Sequence, residues 1–244
     1  MKHRSQWFCK YKIAHRGLHN DKYPENSIGA FQNAIDHGFA IELDVRVSKD
    51  GNIVVFHDSN IKRMCGINKD VHDINIEELS NYKLNDTEYT IPTLKEVLEL
   101  VNGQTPIMIE LKGLKKSDKL EEKVYNLIKH YHGDLAVKSF NPFSMIWFRK
   151  NAPKILRGML SSYFTDTYLP AIYKFLLKRL SFYNLIKPDF ISYRFLDLPN
   201  KYVTKRKVPV LTWTIDSKEQ EIEALKIANN VIFEDYIPDK VQNY

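Results

Sequence analysis

Short apolar runs rich in β-branched residues alternate along this chain with stretches of helical periodicity. That alternation predicts βα units and a parallel sheet. Eight runs read as strands, at residues 12–15, 40–45, 106–111, 135–140, 156–160, 189–193, 209–215 and 231–234. Eight such strands with helices between them predict an α/β fold, a (β/α)8 barrel of the TIM type, for which 244 residues is an ordinary length. The helices carry signals of their own. Thr93-Leu94-Lys95-Glu96, just after Pro92, is a capping box, with Leu94, Val97, Leu98 and Val101 on one face. Leu120, Val124, Leu127, Ile128 and Tyr131 form a second stripe, for which Gly133 is the expected C-terminal cap. Ser217 and Gln220 read as another capping box, ahead of Ile222, Leu225 and Ala228.

Two segments exceed the alternation. Residues 45–58 predict a β-hairpin excursion after the second strand, because Asp50-Gly51 is a strong two-residue turn signal between β-rich runs. Residues 161–188, after the fifth strand, predict a helical insertion, with Leu169, Ile172, Tyr173, Leu176, Leu177 and Leu180 at helical spacing. No internal repeat and no linker-like stretch interrupts the rest, so residues 1–244 predict a single domain.

Charge changes this picture in one place. The net charge is +6, and the excess gathers between residues 149 and 187, where Arg149, Lys150, Lys154, Arg157, Lys174, Lys178, Arg179 and Lys187 face only Asp166. This stretch reads either as a solvated surface or, together with the apolar insertion, as an element that contacts an anionic membrane surface peripherally. Packing of the insertion on the barrel is the preferred expectation. No nucleic-acid motif accompanies the charge, so no nucleic-acid partner is expected. Residues 1–12 are charged, but Trp7, Phe8 and Cys9 are too short an apolar run for a signal peptide. Cys9 and Cys65 offer neither a disulfide framework nor a zinc spacing, which fits a reducing compartment. A cytoplasmic location is expected, with or without membrane association.

In a barrel of this kind chemistry gathers where strands end. The first strand ends in His15-Arg16-Gly17, the second in Glu42-Leu43-Asp44 and the third in Glu110-Leu111-Lys112. Alternation puts Glu42 and Asp44 on one face, and likewise Glu110 and Lys112. If Asp50 and Gly51 form a two-residue loop, Lys49 pairs with Asn52, and stepping back places Asp44 opposite His57. Three converging carboxylates without cysteine make a hard oxygen site suited to Mg²⁺ or Ca²⁺. Without a cation they would repel one another. Arg16 and Lys112 beside them call for a second anion, and phosphate is the natural one. Two histidines can then divide the proton transfers.

The runs His15-Arg16-Gly17, Pro24-Glu25-Asn26-Ser27, Glu42-Leu43-Asp44-Val45, Lys49-Asp50-Gly51 and Val54-Val55-Phe56-His57-Asp58 together resemble the glycerophosphodiester phosphodiesterase family. Ile91-Pro92-Thr93-Leu94, Glu110-Leu111-Lys112 and Ser139-Phe140 continue the resemblance in order, over residues 12–240. It implies metal-dependent hydrolysis of glycerophosphodiesters to an alcohol and glycerol phosphate. It further implies a metal site at Glu42, Asp44 and Glu110, acid/base histidines at His15 and His57, and phosphate contacts from Arg16 and Lys112. Residues 24–27 are a further candidate contributor to the site, although Asn26 also suits the N-cap of the following helix. The pattern departs where the seventh strand ends in Trp213-Thr214-Ile215-Asp216 instead of the usual Asn, and where Glu234 precedes Asp235. Trp213 is expected as an apolar wall for substrate. Two rival readings differ in their consequences: a lysophospholipase D type of hydrolysis acting on lipid diesters, and an inactive barrel that binds phosphorylated ligands. Attack by water and attack by the substrate's own glycerol hydroxyl through a cyclic phosphate are both compatible with these residues.

Overall fold

The computed structural model describes residues 6–113, 119–165 and 168–239. Residues 1–5 of the charged N-terminal stretch, Asp166 of the basic stretch and residue 240 at the end of the resemblance lie outside these. Every run read as a strand is one. The chain proceeds through β1 (Ile13–Ala14), α1 (Ile28–His37), β2 (Ala40–Val47), β3 (Ile53–Val55), α2 (Lys62–Cys65), α3 (Ile76–Leu79), α4 (Leu94–Val101), β4 (Ile107–Leu111) and α5 (Leu120–Ile128). It continues through β5 (Leu135–Ser139), α6 (Pro142–Asn151), β6 (Leu156–Ser161), α7 (Ala171–Lys178), α8 (Tyr183–Ile186), β7 (Phe190–Arg194), α9 (Lys201–Thr204), β8 (Val210–Ile215), α10 (Lys218–Leu225) and β9 (Asn230–Phe233). The hydrogen-bonded strand order is β1-β9-β8-β7-β6-β5-β4-β2-β3 with β1 also paired to β2, which is the order of a (β/α)8 barrel of the TIM type with β3 as an added edge. By its contacts the chain divides into two units, residues 13–135 and residues 1–12 with 136–244.

In the first unit β2 pairs in parallel with both β1 and β4, so its residues are covered on two sides and Ala40 to Val45 are all buried. A fully buried strand explains why apolar residues alternate here with carboxylates and not with solvated polar groups. The expected capping box at Thr93 and Glu96 is present, and Leu94, Val97, Leu98 and Val101 are the buried face of α4. The stripe on α5 holds for Leu120, Val124 and Ile128, but the helix is capped at Lys129, so Gly133 is not its C-cap. Tyr131 lies beyond the helix end, where its hydroxyl accepts from the Gly103 N–H at 2.9 Å.

The hairpin forms, but one residue out of the expected register. Val45 lies opposite Val55 and Val47 opposite Ile53. The Ser48 N–H donates to the Asn52 carbonyl at 2.9 Å and the Gly51 N–H to the Ser48 carbonyl at 3.0 Å, so the loop is Lys49-Asp50-Gly51, closed by Gly51 at φ 85°. A three-residue loop ending in a left-handed glycine is the next commonest hairpin after the two-residue form. Asp50 selects it by accepting from the Ser48 hydroxyl at 2.6 Å and from the Ile76 N–H at 3.2 Å. Phe56, not His57, therefore donates its N–H to the Asp44 carbonyl, at 2.9 Å. Beyond β3 the excursion has its own apolar cluster, in which Val54, Phe56, Ile61, Met64, Val71, Ile74, Leu79, Leu84 and Ile91 are all buried. Burying a side chain of this size contributes about 1.5–3 kcal/mol, enough to hold residues 53–91 as a fixed platform.

In the second unit the insertion is two helices, α7 and α8, where one was expected. Leu177, Leu180 and Ile186 are buried, whereas Ile172, Tyr173, Phe175 and Leu185 are exposed. Packing thus accounts for only part of its apolar sequence. On α10 Ser217 accepts from the Gln220 N–H, but Ile222 and Leu225 face solvent, and Glu221 and Ala224 form the buried side. The reason is an ion pair: Lys12 Nζ lies 2.5 Å from Glu221 Oε1, and the Tyr236 hydroxyl donates to Glu221 Oε2 at 3.1 Å.

Candidate active site

Parallel pairing sets Asp44 beside Glu110 and Glu42 beside Met108, so the carboxylates converge at the C-terminal ends of β2 and β4. Glu42, Asp44 and Glu110 are all buried, and each offers an oxygen within 4.8 Å of the others. Three anions this close require compensation. Lys112 Nζ lies 2.5 Å from Glu110 Oε1 and 3.2 Å from Asp44 Oδ1, and Arg16 Nε is 3.5 Å from Asp44 Oδ2. Burial alone would raise the Asp44 pKa, but the charges of Lys112, His57, Arg16 and His15 overcome it and hold the carboxyl well below its ordinary range. Burial likewise opposes the Lys112 charge, and Asp44 and Glu110 more than restore it, raising the ammonium pKa above its ordinary value.

The turn after β1 completes this shell. Arg16 sits at φ 56°, and from there its N–H donates to Glu42 Oε2 at 3.1 Å. Gly17 follows at φ 81°, where a Cβ would lie 2.9 Å from the Ala30 backbone carbon. Only glycine fits that approach. Asn26 is not the N-cap of α1. Ser27 accepts from the Ala30 N–H in that role, and the Asn26 side chain instead donates to Asp44 Oδ2 at 3.0 Å. The donor set is entirely oxygen, buried and convergent, which fits a hard divalent cation. Charge agrees with this. Three carboxylates against Arg16 and Lys112 leave one negative charge, a divalent ion leaves one positive, and a phosphodiester monoanion then neutralises the site.

His57 arrives by a route that register arithmetic misses. The Arg46 guanidinium donates to the His57 carbonyl from Nε at 2.9 Å and from Nη2 at 2.6 Å, and to the Lys112 carbonyl from Nη1 at 3.4 Å. One side chain thus ties the end of the excursion to the end of β4. His57 Nδ1 lies 2.6 Å from Asp58 Oδ1, which leaves Nε2 as the outward nitrogen. Asp58 Oδ2 accepts from Arg63 Nε at 2.7 Å, and Arg63 grips Glu25 with both terminal nitrogens, at 2.9 and 2.7 Å. Glu25 Oε1 also accepts from Arg16 Nη1 at 2.8 Å. A continuous chain of charged hydrogen bonds therefore runs from His57 through Asp58, Arg63 and Glu25 to Arg16. Burial, then the Lys112 charge, push the His57 pKa down, against the pull of Asp44 and Asp58. Burial would raise the Asp58 pKa, but the hydrogen bonds from Arg63 and His57 bring it down to about 2.

His15, Arg16, Glu42, Asp44, His57, Glu110 and Lys112 all belong to the first unit; the carboxylates lie at the ends of β2 and β4 as expected, whereas Phe56 and not His57 stands opposite Asp44. Trp213 belongs to the second, where it lines an apolar pocket with Phe140, Phe164 and Leu196. Arg46, Asp58 and Arg63 were not foreseen as members, and Glu25 was foreseen only as part of the run of residues 24–27. Glu25 and Asp58 stand inside the motifs quoted above, but nothing local distinguishes Arg63 from a solvated cation of a short helix.

This network has a pH signature. Asp58 and Glu25 both have depressed pKa values, so their contribution to stability is present above the unfolded values and is lost as pH falls through the folded ones. Arg63→Gln should lower Tm at neutral pH by a few degrees and flatten the acid loss of Tm between about pH 4 and pH 2. Parallel acid limbs for the two proteins in calorimetry would contradict that account.

The sequence profile of the Glycerophosphoryl diester phosphodiesterase family matches residues 15–238. A glycerophosphodiester phosphodiesterase of Caldanaerobacter subterraneus subsp. tengcongensis is 31% identical over 235 residues, covering 91% of this chain and 93% of that protein. One of Bacillus altitudinis is 37% identical over 161 residues, covering 61% of this chain and 65% of that protein. Among solved structures, an Oleispira antarctica phosphodiesterase in complex with the product sn-glycerol-3-phosphate superposes with a TM-score of 0.80 at 22% identity, over 94% of both chains.

Proposed function

Because this chain belongs to the glycerophosphoryl diester phosphodiesterase family, we propose that it hydrolyses small glycerophosphodiesters to an alcohol and glycerol phosphate, with Mg²⁺ or Ca²⁺ held by Glu42, Asp44 and Glu110. The observation that carries this reading is the buried carboxylate triad with Lys112 and Arg16 against it. When bound, the cation supplies Lewis acidity toward a phosphoryl oxygen. Arg16 and Lys112 bind and orient the phosphate by charge-assisted hydrogen bonds. His57, braced by Asp58 at 2.6 Å, holds a proton at Nε2 and gives it to the leaving alkoxide. His15 takes the proton of the nucleophile, which is either water or the substrate's own glycerol hydroxyl, the cyclic phosphate of the latter route then being opened by water. Phosphorus NMR of the products from a panel of glycerophosphodiesters, with each cation in turn, tests the reading. Release of glycerol phosphate supports it; intact diester with every cation refutes it.

We treat residues 1–244 as one catalytic domain, for which a single calorimetric transition is the check. The free thiols of Cys9 and Cys65 suit a cytoplasmic location. Recovery of the native protein from a secreted fraction would refute that placement. Among the described residues no helix is long and apolar enough to cross a membrane. Residues 161–188 touch a membrane peripherally in this reading, supported by exposed Ile172, Tyr173 and Phe175 beside a cationic stretch. Ile172→Ser with Phe175→Ser should then weaken sedimentation with anionic vesicles several-fold. No sedimentation of the unaltered protein would end the membrane reading.

A further inference from the structure

We infer that Arg63 is a positioning residue for the hydrolysis, a single guanidinium that sets both the ring of His57 and the guanidinium of Arg16. The inference rests on the phosphodiesterase reading for the parts those two residues play, and adds the group that holds them in place. All the residues concerned lie within the first unit.

Arg63 stands on α2, outside the barrel strands, with 47% of its side chain exposed. A cation so placed ordinarily samples many rotamers, and its ion pairs contribute little to stability. Here every nitrogen of the fork is engaged. Nε donates to Asp58 Oδ2 at 2.7 Å, Nη1 to Glu25 Oε2 at 2.9 Å and Nη2 to Glu25 Oε1 at 2.7 Å. Each acceptor also meets a residue of the proposed chemistry: Asp58 Oδ1 lies 2.6 Å from His57 Nδ1, and Glu25 Oε1 accepts from Arg16 Nη1 at 2.8 Å. The base under Arg63 is fixed as well. α2 has four residues and no side-chain cap, too short to hold itself, but Ile61 and Met64 on either side of Arg63 are buried in the cluster of the excursion. The Asn85 N–H ties the Met64 carbonyl at 2.7 Å. The excursion thus delivers Arg63 to the site as well as His57.

Two consequences follow from the fork. The orientation of a histidine ring is set by what its Nδ1 meets, and Asp58 can set it only while its own carboxylate, 28% exposed, is held still. Arg63 holds the far oxygen. Nε2 is then the nitrogen left for the leaving group, which a general acid must reach within hydrogen-bond distance. On the other side, the Asn26 N–H donates to the Arg16 carbonyl at 2.9 Å, so the backbone next to Glu25 is tied to Arg16. Arg63 takes both oxygens of Glu25, and Arg16 meets that carboxylate through Nη1, which leaves Nη2 for the phosphate. Without Arg63 a carboxylate and a guanidinium this close favour the two-bonded pair. Arg16 would then turn its donors from the phosphate to Glu25.

The test is Arg63→Gln in the metal-loaded protein, with circular dichroism to establish that it is folded. On glycerophosphocholine kcat should fall about 10- to 100-fold, the cost of an acid held out of line. The nitrophenyl ester of glycerol phosphate needs no proton on its leaving group and should keep most of its kcat. KM for both diesters should rise several-fold through Arg16. Double-variant cycles separate the two arms: Arg63→Gln should cost kcat little once Asp58→Asn is present, and KM little once Glu25→Gln is present. If Arg63→Gln does not fold, Arg63→Lys, which keeps the charge but not the fork, takes its place throughout. Nitrogen NMR of neutral His57, identified by its loss in His57→Ala, gives a readout apart from turnover. The proton should sit on Nδ1 in the unaltered protein and shift toward Nε2 in Arg63→Gln. Equal loss of kcat on the two diesters, additive losses in both cycles, or unchanged kcat and KM would each overturn the inference while leaving hydrolysis standing. If no diester is cleaved with any cation, the phosphodiesterase reading has failed and the His57 proton decides alone: displaced from Nδ1 in Arg63→Gln it upholds the positioning, unmoved it overturns it.

Discussion

Stripping divalent cations with a chelator is expected to abolish turnover, and Mg²⁺ or Ca²⁺ to restore it. Glu42, Asp44 and Glu110 are buried together with their oxygens within 4.8 Å, and a Lewis acid at a phosphoryl oxygen is worth several kcal/mol, or about 10³-fold in rate. Asp44→Ala should show the same loss at limiting metal. It removes the carboxylate that contacts Lys112, Arg16 and Asn26 together, so it releases all three from their present positions. The fold should survive, because strand-end residues of a barrel serve its chemistry more than its stability. Circular dichroism of the variant alongside the assay separates the two effects. Full activity of protein shown to be metal-free by elemental analysis would remove the metal from the mechanism.

His15→Ala and His57→Ala are each expected to lose about 10²- to 10⁴-fold in kcat on the natural diester, the usual weight of general acid or base work. Metal binding should persist in both, since neither histidine belongs to the carboxylate triad. A substrate whose leaving group is nitrophenolate needs no proton on departure, so it should rescue only the variant that lacks the general acid. His57 is assigned that role here, because Asp58 at 2.6 Å from Nδ1 stabilises the protonated ring. Asp58→Asn should then cost less than His57→Ala and should be rescued by the same substrate. Near-normal kcat for both histidine variants on the natural diester would rule out the two-histidine mechanism.

How much of this was legible in the sequence differs from element to element. Strands with buried faces announce themselves, because period and β-branching are local properties, and all eight barrel strands stood where the runs predicted. Alternation along β2 and β4 likewise sufficed to put Glu42, Asp44, Glu110 and Lys112 together, since parallel strands offer one ladder with few choices of register. The hairpin was harder. One extra loop residue, selected by contacts of Asp50 with Ser48 and with the distant Ile76, moved every pairing by one.

Local pattern therefore determined the barrel, its order of elements and the three strand ends that carry the carboxylates and His15. Tertiary structure alone decided how His57 reaches them. Its position depends on the Arg46 guanidinium holding the His57 carbonyl and on Arg63 joining Asp58 to Glu25, which lies 38 positions before Arg63. It also decided that Asn26 serves Asp44 and not a helix end, and that Glu221 and not Ile222 faces inward on α10. The physical reason is common to these cases. Hydrophobic periodicity is written into consecutive residues, whereas a buried charge takes its place from whichever partner the fold brings within hydrogen-bond reach.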